Sequence, residues 1–530
     1  MAATARSLLC VRRNCQEDRR LNSLPRRSFL KGTAAAFATA LFHNQAVTRA
    51  LAASGSGQKP NIVLILSDDV GYGDLGCYGA KLPRTPHIDG LAQCGRRFRD
   101  GHADASVCTP SRYAILSGMY AWRRRDAQIL PGDAALLFAD HQTTLPSLLQ
   151  QAGYKTGCVG KWHMGLGRGG IDWNGEIAPG PREVGFDYSF IIPATADRVP
   201  CIYVENGRVV GLDPKDPIRV DYKKLVGDDP TGHDEPYLLK MKLSEGHDGT
   251  IVDGVSRIGF MTGGNSARWI DEKMAATLAE KATSFIDASY EKPFFLYLAT
   301  SDIHVPRMPN EHFAAKSLCG VRCDVIEQLD WTVGRVLETL EKHKLMENTL
   351  ILFSSDNGPV VDDGYADGSV ENLHGHTPSG ALRGGKYSLY EGGTRVPLIT
   401  FWRGHIPVGV SDAVISQTDL LASMAALAGV SLPQGQTFDS ENVLPALLGQ
   451  SEHGRDVLIE ADVRQRTAIR RGRWKLLDLD MPGTSPHAAG KNCELYDLEA
   501  DPGETTNVAA QHPEVVAELW SRLQKIRSAT

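Results

Sequence analysis

Three short, uninterrupted apolar runs, each ending abruptly in carboxylates or histidine, constrain the fold of this chain more than any other feature. Asn61-Ile62-Val63-Leu64-Ile65-Leu66 runs into Ser67-Asp68-Asp69. Phe294-Phe295-Leu296-Tyr297-Leu298-Ala299 leads to Asp302 and His304, and Leu350-Ile351-Leu352-Phe353 leads to Asp356-Asn357-Gly358. A strand with one face in water alternates apolar and polar residues. A continuous apolar run therefore reads as a strand covered on both faces, as in a parallel sheet. Helical patterns lie between these runs, among them Thr144 to Gln151 and Val325 to His343, so strands and helices alternate as in an α/β fold. Ligands of open α/β sheets bind just beyond the carboxyl ends of the strands. The three polar clusters are expected to converge there on one site.

A chain of 530 residues is long enough for a large core and more than one structural unit. The region from about 170 to 265, rich in Gly, Pro and Asp, reads as loops and short strands around the rim of the site. Past Leu448-Gly449 the pattern changes to short alternating strands, Thr467 to Ile469, Trp474 to Leu477 and Glu494 to Asp497, followed by a helix from Pro513 to about Ile526. Residues 54–450 are accordingly read as the α/β domain, and 451–530 as a smaller α+β unit with an antiparallel sheet and a terminal helix.

Residues 1–53 read as a targeting segment. Arg26-Arg27-Ser28-Phe29-Leu30-Lys31 is a twin-arginine signature, followed by an apolar run from Gly32 to Phe42 and small residues around Ala50-Leu51-Ala52-Ala53. That run falls short of the roughly 20 residues a bilayer span needs. The expectation is export through the Tat translocon to the periplasm or beyond, without stable membrane insertion. A formal net charge of -6 gives no basic field for a polyanion, which argues against a nucleic-acid partner. Of ten cysteines, Cys10 and Cys15 lie in the leader, and the rest lack paired zinc-type spacing. Few or no disulfides are expected, and Cys319 and Cys323 read as two small buried residues of a helix.

Asp68, Asp69, Asp356 and Asn357 offer hard oxygen ligands with no imidazole or thiolate, a set that suits calcium or, less well, magnesium. Taken singly, Asp-Asp after a strand could cap a helix, and Asp-Asn-Gly could be a turn.

Cys108-Thr109-Pro110-Ser111-Arg112, continued through Leu116-Ser117-Gly118, resembles the C-x-P-S-R and L-x-G signature of type I sulfatases. In that family a maturating enzyme oxidises the cysteine to formylglycine. Ser117 and Met119 stand where Thr and Arg are usual. Gly160-Lys161-Trp162-His163-Met164-Gly165, Ser301-Asp302-Ile303-His304-Val305-Pro306, Leu382-Arg383-Gly384-Gly385-Lys386 and Tyr390 to Pro397 resemble further segments of the family, in the same order. The resemblance covers roughly residues 60 to 500.

It implies an alkaline phosphatase-like mixed sheet sandwiched by helices. It also implies a calcium ion held by Asp68, Asp69, Asp356, Asn357 and the modified Cys108, with Arg112 in the catalytic set. Lys161 and Lys386 would bind sulfate, His163 would bond to formylglycine, His304 would protonate the leaving group, and Arg395 would support a loop. The implied partners are a sulfatase-maturating enzyme and a sulfated small molecule or glycan. Two other readings are a phosphate or phosphonate ester hydrolase and a non-matured sulfoglycan-binding protein. Three carboxylates against one divalent ion leave -1, the cations Arg112, Lys161 and Lys386 bring this to +2, and a sulfate monoester to +1. Asp362, Asp363, His374 and His376 could line a sugar subsite, and Asp302 to Arg307 looks more like bacterial carbohydrate sulfatases than simple aryl-ester enzymes.

Overall fold

The computed structural model describes residues 59–434, 436, 438–481 and 492–529, so the leader reading lies outside the described residues. The three apolar runs form adjacent strands at the centre of a 10-stranded sheet. In chain order its strands are β1 (Asn61–Ser67), β2 (Arg96–Phe98), β3 (Lys155–Lys161), β4 (Tyr188–Ile192), β5 (Val204–Glu205), β6 (Arg208–Val209), β7 (Phe294–Ala299), β8 (Thr349–Ser355), β9 (Leu398–Phe401) and β10 (Gly409–Ser411). Their spatial order is β10-β2-β9-β8-β1-β7-β3-β4-β5-β6. Strands β8, β1, β7, β3 and β4 are mutually parallel, while β9 runs against β8 and β2, and β5 and β6 close the other edge as an antiparallel hairpin.

The continuous apolar sequences follow from burial on two faces. Ile62, Leu64 and Leu66 pack with residues of α2 (Cys108–Ser117), α3 (Leu145–Gln151) and α6 (Leu420–Ala428), whereas Val63 and Ile65 pack on the opposite face. There they meet α1 (Pro86–Cys94), α4 (Met274–Ser289) and α5 (Gly320–Lys342). Each such aliphatic side chain stabilises the fold by about 1.5–3 kcal/mol on burial. Register then decides where the chemistry goes. Leu66 lies opposite Ala299 of β7 and Ser354 of β8, and Ala299 lies opposite Gly160 of β3. Four strands thus end level, and whatever follows each of them emerges at the same edge.

The helix expected over Thr144 to Gln151 is α3, and Thr144 caps it, its hydroxyl accepting from the Ser147 amide at 3.2 Å. Helix α5 begins at Gly320, earlier than the expected Val325. Arg322 and Asp324 break the apolar period at its start, yet the turn is fixed. Asp324 accepts from the amides of Ala315, Lys316 and Ser317 at 2.8, 3.2 and 2.8 Å. Cys319 and Cys323, expected as free thiols, are instead joined as a disulfide across this turn, with Cα atoms 5.4 Å apart. One helical turn brings two such positions within the span a disulfide needs. The stretch read as rim loops also supplies β4 to the main sheet.

The C-terminal part forms a separate antiparallel sheet of β11 (Val457–Ala461), β12 (Thr467–Arg471), β13 (Trp474–Asp478) and β14 (Cys493–Asp497), covered by α7 (Pro513–Ser528). Val516, Leu519 and Leu523 of α7 share a cluster with Ile459, Ile469, Leu476 and Leu495. Among the described residues no helix is long and apolar enough to cross a membrane.

Candidate active site

Each level strand end delivers one part of the site. Beyond β1 come Asp68 and Asp69, beyond β8 Asp356 and Asn357, at the end of β3 Lys161, and beyond β7 His304; all are buried. Cys108 opens α2, so the positive end of that helix faces the same space. Arg112, one turn along, points back from it. Its Nε and Nη2 meet Asp356 Oδ2 at 2.9 and 2.8 Å, and its Nη1 donates to the Lys161 carbonyl at 3.1 Å. Lys161 Nζ donates to Asp68 Oδ2 at 2.6 Å. Lys386 arrives from a loop and donates to Asp69 Oδ2 at 2.9 Å and to Asp363 Oδ2 at 2.8 Å.

His163 is held so that one ring nitrogen faces residue 108. Its Nε2 lies 2.9 Å from the Leu130 carbonyl, which can only accept, so Nε2 carries the proton and Nδ1 presents a lone pair. That Nδ1 sits 3.3 Å from Cys108 Sγ. Backbone bonds pin the residue further: its amide donates to the Pro193 carbonyl at 3.1 Å, and its own carbonyl accepts from the Thr109 hydroxyl at 2.9 Å. Burial, with Lys161 and Arg198 nearby, pushes its pKa well below the usual histidine value, so the ring is neutral. His163 and Asp69 both take left-handed backbone angles, φ 55° and 61°, which cost non-glycine residues about 1–3 kcal/mol each.

His304 anchors Nδ1 on the Val305 carbonyl at 2.7 Å and turns Nε2 toward Asp69 Oδ2 at 3.8 Å and Asp363 Oδ2 at 3.9 Å. Burial and then Lys386 lower its pKa. Burial likewise raises the pKa of Cys108, which keeps the sulfur a thiol. Unmodified, it is a poor nucleophile.

The oxygen-rich centre fits a hard divalent cation. Asp68 Oδ1 and Asn357 Oδ1 are buried with no hydrogen-bond partner, and Asn357 turns its Nδ2 to Asp69 Oδ1 at 2.7 Å, leaving its carbonyl oxygen free. Burial beside Asp356 raises the pKa of Asp68 despite Lys161. Burial opposes ionisation of Asp69 too, but Lys386 and Lys161 outweigh it there. Such converging oxygens, without sulfur ligands outside residue 108, suit calcium better than zinc.

The sequence-derived residues Asp68, Asp69, Cys108, Arg112, Lys161, His163, His304, Asp356, Asn357 and Lys386 all come together. The outer set divides. His376 is buried with Nε2 on Asp74 Oδ1 at 2.7 Å, so it is structural and not available to a sugar. Asp74 in turn pairs with Arg322, whose Nη2 also donates to the Asp69 carbonyl at 3.3 Å and so steadies the end of β1. His374 is exposed, and Asp362 accepts from the Ser244 hydroxyl at 2.6 Å. Asp363 belongs to the centre itself, between Lys386 and the Tyr387 hydroxyl at 2.7 Å. Arg395 pairs with Asp100 at 2.7 Å and Glu391 at 3.0 Å, supporting its loop as expected. Sequence reasoning missed Asp363 as a partner of the lysine and the Leu130 carbonyl as the group that sets the His163 tautomer. Asp363 sits in an irregular polar loop with no period to read, and a backbone carbonyl leaves no residue-type signal.

A family model described as Sulfatase matches residues 60–430, and one described as N-sulphoglucosamine sulphohydrolase, C-terminal, matches residues 385–529. An N-acetylgalactosamine-6-O-sulfatase of Bacteroides thetaiotaomicron is 49% identical over 483 residues, covering 89% of this chain and 94% of that protein. Human arylsulfatase A is 33% identical over 497 residues, covering 88% of each. A solved structure from work on the metabolism of multiple glycosaminoglycans by Bacteroides thetaiotaomicron matches with TM-score 0.86 and 49% identity, over 89% of this chain and 100% of that one.

Proposed function

The chain belongs to the sulfatase family and hydrolyses sulfate esters, and from that premise we propose that it removes sulfate from glycosaminoglycan sugars, 6-O-sulfated N-acetylgalactosamine in particular, using a formylglycine made from Cys108 and a calcium ion beside it. The sugar assignment rests on the 49% identical relative named for that activity. The chemical assignment rests on one juxtaposition: the Cys108 sulfur faces the Nδ1 of a neutral histidine at 3.3 Å, at a helix N-terminus, inside a ring of three cations and four carboxylates.

Charge balance favours a singly charged ester. Asp68, Asp69, Asp356 and Asp363 against Arg112, Lys161 and Lys386 leave -1, because Asp363 joins the three carboxylates counted from sequence. A divalent ion makes the centre +1, a sulfate monoester neutralises it, and a phosphate dianion would return it to -1. When in place, the ion neutralises charge at the sulfate oxygens, and the hydrated aldehyde at position 108 supplies hydroxyl groups as nucleophile. Asp68, Asp69, Asp356, Asn357 and residue 108 would hold that ion. The remaining work falls to the protein's own side chains. An ammonium has three donors, of which Lys161 commits one to Asp68 and Lys386 two to its carboxylates, so each keeps an N–H for a sulfate oxygen. Arg112 fixes Asp356 and the first turn of α2. His163 takes up a proton from residue 108 through Nδ1. His304, whose Nδ1 proton stays on the Val305 carbonyl, takes a second proton from solvent onto Nε2 once the anionic ester offsets the burial and the Lys386 charge that otherwise keep the ring neutral, and delivers it to the departing alcohol.

Mass spectrometry of the peptide spanning position 108, after production with a sulfatase-maturating enzyme, is expected to find the aldehyde. Folded Cys108→Ala is expected to release no sulfate from 6-O-sulfated N-acetylgalactosamine. Sulfate release by that variant, or full activity in a sample holding only free thiol, would refute the covalent route. The leader extends the proposal to export by the Tat translocon, to periplasm or medium. Cytoplasmic retention of an Arg26→Lys, Arg27→Lys double variant would support this route, and unchanged export would end it.

A further inference from the structure

The groups above account for the sulfate end of a substrate and leave its sugar end unread. Residues 189–202 are all buried except Arg198. That segment starts in β4, whose Ile192 lies opposite Lys161, and it continues past the Pro193 carbonyl that holds the His163 amide. Arg198 is thereby carried within electrostatic reach of the site, its side chain 16% exposed next to an Asp197 only 3% exposed. The Asp363 carboxylate bears on it, and it in turn bears on His163.

The guanidinium is clamped from one side only. Nη1 donates to Thr195 Oγ1 at 2.7 Å and to both Asp197 oxygens at 2.9 Å. Asp197 is itself fixed by His247 Nε2 at 3.0 Å, and the His247 ring packs against Tyr365 with centroids 4.7 Å apart. None of the described hydrogen bonds uses Nε or Nη2, and neither atom is among the buried unsatisfied groups, so both keep some access to solvent. Paired with Asp197, the arginine adds no net charge to the sulfate clamp. What it adds is a rigid two-donor edge whose ordering cost is already met in the free protein. Asp363, in the centre, is already engaged by Lys386 and Tyr387.

We infer that Arg198 is a specificity residue, its Nε and Nη2 donating to an oxygen acceptor on the glycan beyond the ester. This rests on the sulfated-sugar reading above. The acceptor has two sources, a hydroxyl of the sulfated sugar itself or the carboxylate of an adjoining uronic acid. The test uses matured, calcium-loaded wild type, Arg198→Ala and Arg198→Lys on a small aryl sulfate, 6-O-sulfated N-acetylgalactosamine and a uronate-containing disaccharide carrying the same ester. For Arg198→Ala the loss in kcat/KM on a sugar is expected to exceed the loss on the aryl ester by about tenfold or more, chiefly through KM. Arg198→Lys, which keeps the charge but not the fork, should show the same bias and serves alone if the alanine variant does not fold. A biased loss already present on the monosaccharide identifies a hydroxyl, and one confined to the disaccharide identifies the carboxylate. Equal losses on all three substrates, or none on the sugars, would overturn the assignment. A wild type that cleaves the aryl ester but no sugar would overturn the sugar reading and this assignment with it, a result visible without any variant.

Discussion

Lys386 stands between two carboxylates, at 2.9 Å from Asp69 and 2.8 Å from Asp363. Burial works against its charge, yet those carboxylates outweigh burial and hold the ammonium protonated. A cation fixed in a water-poor site is worth most where charge develops on the ester oxygens. Lys386→Ala is therefore expected to lower turnover by roughly 100-fold or more, measured as sulfate release by a protein whose thermal unfolding shows it folded. Near-normal kinetics would remove Lys386 from the sulfate clamp. At this scale the sequence was highly informative, for a physical reason. Asp68, His304 and Asp356 follow apolar runs whose ends must lie level once the strands pair, and Cys108 and Lys161 lie in strings of fixed spacing. What stayed hidden were partners chosen by three-dimensional approach, such as Asp363 for Lys386 and the Leu130 carbonyl for His163.

Single elements position these groups through backbone geometry. Gly160 precedes Lys161 at the end of β3 with φ 108°, and a Cβ there would lie 1.9 Å from the Ala299 carbonyl oxygen of β7. Only glycine permits both the angle and the approach. Gly160→Ala is expected to cost about 2–4 kcal/mol, from a strained angle and a forced separation of β3 from β7, and to move Lys161 off Asp68. Thermal unfolding within a degree of wild type would show that the strand end yields without penalty. The limits of sequence reading at this scale have the same origin. Central strands and α3 announce themselves by apolar runs and a helical pattern. The first turn of α5 does not, because Arg322 and Asp324 are polar residues buried by specific pairing with Asp74 and with loop amides. Strand β4 was obscured by the glycine- and proline-rich loops around it.

Across the whole molecule, the C-terminal sheet meets the segments that follow β2 and precede β9 on a buried charge network. Lys475 of β13 donates to Glu391 at 2.8 Å and lies 3.2 Å from Glu460 and 3.5 Å from Glu504. Beside it His102 bridges Asp100 at 2.7 Å and Glu460 at 2.9 Å, and Arg470 and Arg395 each reach Asp100. Asp100, His102 and Glu391 come close enough to suggest a second metal site, but these arginines and the lysine already supply the countercharge. The network bears on catalysis because Glu391 follows Lys386 closely, and the Gly392 amide donates back to the Arg383 carbonyl at 2.8 Å, closing the loop that carries the lysine. Lys475→Met would take the shared ammonium from three buried carboxylates, of which Glu391 keeps Arg395 and Glu460 keeps His102, and breaking a buried pair in this way costs about 3–5 kcal/mol. Burial opposes ionisation of Glu391, but Lys475 and Arg395 outweigh it and hold its pKa far below the usual glutamate value. Stability from that pairing is present above the unfolded glutamate pKa and is lost as pH falls through the folded one. The part of the Lys475→Met deficit that comes from Glu391 should accordingly be present above a pH of about 4.5 and shrink below it, whereas Glu504, pushed up to about 7 chiefly by burial, sheds its share already around neutral pH. Paired denaturant titrations across that range would measure it, and a deficit that is constant with pH would mean that Lys475 contributes packing and no charge.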